Sequence, residues 1–192
     1  MKWIALAIFL VIGPYTFLRW HYRKPQPAFE PYHDLRDRAN TSRLLSAGFQ
    51  RVTIVPERPA DPLRNLTAVA AAGAPGGIPS DLGSTLVEPP ALLPNILSVN
   101  APAGANTLFA YTFEFTGGVT ENQQQLGNVY LYLREGQIYV VPEMERLSGE
   151  LLARNRENLI RVTVPAGVLK PETYNVILVG EHSSMSWALQ VK

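Results

Sequence analysis

The sequence predicts a mainly β protein: a C-terminal antiparallel β-sandwich, preceded by a single N-terminal transmembrane helix and a proline-rich extended arm. Three observations carry this. Trp3–Leu18 is an uncharged, largely apolar run. Pro56–Pro94 is dense in proline and shows no sustained hydrophobic period. From Ile96 onward, apolar residues recur at every second position between short turn signals, as half-buried strands require. The segments are 1–20 (anchor), 21–48 (stalk and short helix), 49–95 (one strand plus the arm) and 96–192 (sandwich).

As a helix, Trp3–Trp20 would reach roughly 27 Å, close to the hydrocarbon thickness of a bilayer. Ile4, Leu6, Ile8, Phe9, Leu10, Val11 and Ile12 give it apolar faces all round, which suits lipid and not a half-wet helix. Trp3 at one border, and Trp20 and Tyr22 at the other, fit the interfacial aromatic belt, with Arg19, Arg23 and Lys24 at the headgroups. Pro14 lacks the N–H that the carbonyl four residues earlier would accept, so a kink is expected there. A cleaved signal peptide is the competing reading. It is disfavoured because Pro14 follows the only small-residue site and Tyr15, Phe17, Leu18 and Trp20 are too bulky for later cuts. Lys2 before the run, against Arg19, Arg23 and Lys24 after it, slightly favours a cytoplasmic body. The association of such sandwiches with the outer face of a plasma membrane points the other way, and that side is expected.

Lys and Arg number 17 against 16 Asp and Glu, so the chain is almost neutral. The basic residues are scattered among acids, so no nucleic-acid footprint is present. With zero cysteines, disulfides, thiolate catalysis and thiolate zinc sites are all excluded.

His21–Pro31 reads as an extended stalk, because Pro25, Pro27 and Pro31 favour polyproline backbone. Asp34–Ala47 is a short helix with Gly48 as its C-cap and Leu35, Ala39, Leu44 and Leu45 as a partial apolar stripe. Phe49–Val55 is a strand that Pro56 ends.

The arm that follows is longer than ordinary connections. It is too apolar for a plain linker, since it carries Leu63, Leu66, Ile78, Leu82, Leu92 and Leu93 among its prolines. Two destinations remain open, another protein or its own domain. Leu66, Ile78, Leu82 and Leu92 are the candidate partner contacts. Gly73–Gly77 lacks the Lys-Ser/Thr ending of a phosphate loop and reads as a bend.

Within the sandwich, Leu108–Thr116 alternates Phe109, Tyr111, Phe113 and Phe115 against Ala110, Thr112 and Glu114, and Gly117-Gly118 is expected to turn. Asn128–Arg134 points Val129, Leu131 and Leu133 inward. Tyr130 and Tyr132 face outward, either as an interface patch or under a second buried face. Glu135-Gly136 makes a hairpin to Gln137–Val141. Glu143–Asn158 reads as a mixed loop, followed by strands at Leu159–Val164, Asn175–Gly180 and Ser186–Val191.

Leu169, Pro171 and Tyr174 form a Leu-x-Pro-x-x-Tyr leading into the penultimate strand. This resembles the tyrosine corner of immunoglobulin-like and fibronectin type III domains, in which the phenol bonds back to upstream backbone. The resemblance is close over the last third of the sandwich and looser over its whole length. Glu172 stands where those domains often have glycine, and there is no Cys–Trp–Cys core. It implies an immunoglobulin-like sandwich and carries no function with it.

No catalytic or metal constellation emerges. His21, His33 and His182 are isolated, and Ser183, Ser184 and Ser186 lack both a nucleophile elbow and an oriented base. The expectation is a non-catalytic accessory subunit without cofactor or metal. The bilayer and other membrane-protein subunits are its expected partners, and no nucleic acid. The alternative is a tethered module for glycan or another envelope ligand.

Overall fold

A computed structural model describes residues 2–3, 12–17, 19, 31–63, 69–119, 123–147 and 157–192. Residues 1–35 and 36–192 form two compact units. In the first, residues 2–3, 12–17 and 19 are helical, with Trp3, Ile12, Tyr15 and Phe17 exposed. Among the described residues no helix is long and apolar enough to cross a membrane. Most of the expected anchor (1, 4–11, 18 and 20) lies outside the described residues, as do Trp20, Tyr22, Arg23 and Lys24. Trp3 and Arg19 are described and exposed.

Helix α1 spans Pro31–Ser46 and ends in a glycine cap. Gly48 takes φ +81°, its N–H donates to Leu45 O, and the Phe49 N–H reaches back to Leu44 O at 2.8 Å. This satisfies the last free carbonyls in the Schellman manner. The expected apolar stripe is corrected to one residue: Leu44 is buried, while Leu35 and Leu45 are about two-thirds exposed.

The strands are β1 (Gln50–Ile54), β2 (Ala72–Pro75), β3 (Asn95–Asn100), β4 (Gly104–Ala105), β5 (Tyr111–Gly118), β6 (Gln124–Arg134), β7 (Gln137–Arg146), β8 (Glu157–Val164), β9 (Thr173–Leu178) and β10 (Ser183–Val191); a one-turn helix α2 covers Ser80–Gly83. One sheet runs β1-β6-β7-β9-β10-β2, with β4 also on β10, and the other runs β3-β5-β8. Their facing sides bury Phe113, Phe115, Ile160 and Val162 from the small sheet against Val129, Leu131, Leu178 and Leu189 from the large one.

Most pairings are antiparallel, but β7/β9 and β10/β4 are parallel, a departure from the all-antiparallel expectation. The β6–β7 hairpin turns on Glu135 and Gly136, both at positive φ (47° and 73°), the two-residue turn whose twist matches its strands. Strand β7 continues through Glu143–Arg146, where a loop was expected. Gly117 and Gly118 lie inside β5 and do not turn the chain. A Cβ at Gly117 would come within 2.7 Å of Leu93 Cδ2, so glycine is there for close packing.

The described parts of the arm lie on their own domain. Glu57 bridges to Arg161 of β8, the Leu63 N–H donates to Glu114 Oε2 of β5 at 3.0 Å, and the Val69 N–H donates to Ala101 O just past β3. The described residues of this first half thus touch β8, β5 and the residue just past β3. The second half adds β2 to β10 and covers the outer side of the large sheet. There Leu82 and Leu86 join Leu44, Phe49, Tyr132, Tyr139, Val141 and Val179 in a second apolar cluster.

Candidate functional site

The large sheet's outer side holds most of the partner-contact candidates. Leu82 is fully buried and Ile78 and Leu92 are half-buried, all against their own domain. Leu66 lies outside the described residues. Tyr132 is buried and Tyr130 half-buried, their rings 6.3 Å apart, with the Arg51 guanidinium 5.6 Å from the Tyr130 ring. Burial raises the Tyr130 phenol above its ordinary pKa, and the Glu143 carboxylate adds to the effect. This face is thus the sheet's second buried face, the alternative that alternation alone left open.

A polar clasp fastens α2 to the β6–β7 hairpin. Arg134 lies over the Phe49 ring at 4.2 Å and pairs with Asp81 at 2.6 Å. The Tyr139 phenol reaches both Asp81 oxygens, at 3.0 and 3.3 Å, and also the Gln137 side chain. Every group of the clasp is matched by another, so it binds the arm and offers no free acid or base.

At the corner, the Lys170 N–H donates to the Tyr174 hydroxyl at 3.0 Å. Leu169 and Tyr174 are buried, and Pro171 is exposed. The phenol thus bonds to backbone four residues upstream.

Among the described residues, no group of three or more His, Cys, Asp or Glu is placed to hold a metal. Ser184 Oγ accepts the Gly180 N–H, Ser186 Oγ donates to Ala72 O, and His182 lies in an exposed turn.

The surface feature that stands out is an open groove of about 670 Å³. One wall is the Pro102–Asn106 segment, the other is Phe109–Thr112, and Gln190 and Lys192 line one side. Trp187 Nε1 donates to the Tyr111 hydroxyl at 3.2 Å, and that hydroxyl donates to Pro102 O at 3.1 Å, so one phenol ties both walls together. Burial pushes the Tyr111 pKa up to about 12, slightly offset by the indole N–H.

Leu108 and Phe109, at the turn leading into β5, are 78% and 71% exposed. Their turn is fixed by Asn106, which accepts the Leu108 N–H on Oδ1 and the Phe109 N–H on its carbonyl, and by Thr107, which donates to Lys192 O and accepts from Gly167. Two large apolar side chains are thus held in water by a rigid turn, an arrangement that suits a contact surface.

The sequence placed Phe109 inside the sheet with Tyr111, because the alternation runs through it without a break. The available counter-signal was the Ala-Pro-Ala-Gly-Ala-Asn run at 101–106, which makes a chain reversal just before β5. Comparison with known proteins finds no matching family model, no matching curated protein and no matching solved structure.

Proposed function

We propose that the protein is a non-catalytic, membrane-anchored accessory subunit whose sandwich, immunoglobulin-like in plan, braces neighbouring subunits of a membrane protein complex. The rigid Leu108–Phe109 turn beside the groove carries this reading: apolar area presented on a fixed frame is what a protein partner uses. Because the described arm is spent on its own domain, the bracing surface is assigned to the sandwich and not to the arm. The Tyr174 corner supports the immunoglobulin-like plan, from which the parallel β7/β9 pair is a departure.

The Trp3–Leu18 run supports an uncleaved anchor in the plasma membrane, with the sandwich on its outer face. Partners are other membrane-protein subunits and the bilayer itself. Purification of the native protein in mild detergent, with mass measured by light scattering, tests the reading. A defined heteromer is expected, and the double substitution Leu108→Ser, Phe109→Ser should release its partners. A monodisperse monomer with nothing bound, or a mature N-terminus beyond Trp20, would overturn it. Protease protection in intact spheroplasts tests the side of the membrane.

A further inference from the structure

We draw no further inference here: the strongest candidate, the open groove between the Pro102–Asn106 segment and Phe109–Thr112 at the start of β5, carries nothing because nothing in the structure shows what covers it.

Discussion

The Glu114 carboxylate and the Arg161 guanidinium meet under the arm, with Arg161 Nη2 2.8 Å and Nε 2.9 Å from one carboxylate oxygen. The other oxygen accepts the Leu63 N–H at 3.0 Å. Glu114 is only 1% exposed, whereas Arg161 keeps 21% of its side chain in contact with water. The two ends of this pair are therefore unequal, and so are the costs of removing them.

Arg161→Met leaves a buried carboxylate without its cation and is expected to cost about 3–5 kcal/mol. Glu114→Gln leaves a guanidinium that water can reach and an amide oxygen for Leu63, and should cost about 1–2 kcal/mol. Urea unfolding of the two variants checks the order. Equal losses would mean that the arm does not shield Glu114. Both variants should also be cut faster by protease within residues 57–63.

Gly117→Ala should destabilise by about 1–3 kcal/mol, because its methyl meets Leu93 Cδ2 at 2.7 Å and Ile160 Cδ1 at 3.2 Å within the core. Gly127→Ala meets only the side chain of exposed Glu145, which can swing away, and should be nearly neutral. Thermal melts of both proteins separate the two cases.

Leu82→Ala is expected to cost about 2–5 kcal/mol, since the side chain is fully buried between the arm and the large sheet. A loss that size, read by chemical denaturation, makes residues 78–92 part of the fold. A loss under about 0.5 kcal/mol, the range of surface substitutions, would show the arm detached in solution.

Tyr111 and Tyr132 each have a pKa raised from 10.0 to about 12, by burial in both cases, with Arg51 opposing the rise at Tyr132. A phenol raised in the folded state holds its proton longer there than in the unfolded chain. Its contribution to stability is whole below pH 10 and is lost as pH climbs through about 12. Ultraviolet titration should show these two phenols ionising late, together with alkaline unfolding. Tyr132→Phe should shift that unfolding to higher pH.

Tyr174→Phe removes the acceptor of the Lys170 N–H and should cost about 1 kcal/mol. The corner peptide should then exchange its amide hydrogen faster, with β9 and β10 still paired.

Much of the sandwich was legible because burial on one side writes a two-residue period. Val129, Leu131 and Leu133 of β6 and the Glu135-Gly136 turn all appear where the sequence put them. The helix cap at Gly48 was equally clear, since few residues other than glycine accept φ +81°. The period says nothing about what lies on the far side of a strand, so the cover over Tyr130 and Tyr132 could not be read. Nor could the course of the arm, whose anchors at Glu57, Leu63 and Val69 are single backbone contacts with no repeat. Phe109 misled because a turn residue happened to continue the strand's alternation. The parallel β7/β9 pair leaves no local trace either, as direction is set by the crossover through β8 and not by either strand's residues.

Strand β2 has consequences for how the chain is made. Its sheet neighbour is β10, more than 100 residues further along the chain and therefore made well after it. During synthesis the early residues must wait, with their apolar side chains uncovered, until the C-terminal strand arrives. Loss of β10 by premature termination should therefore leave a nascent product that holdase chaperones capture, since β2 has no other strand neighbour among the described residues.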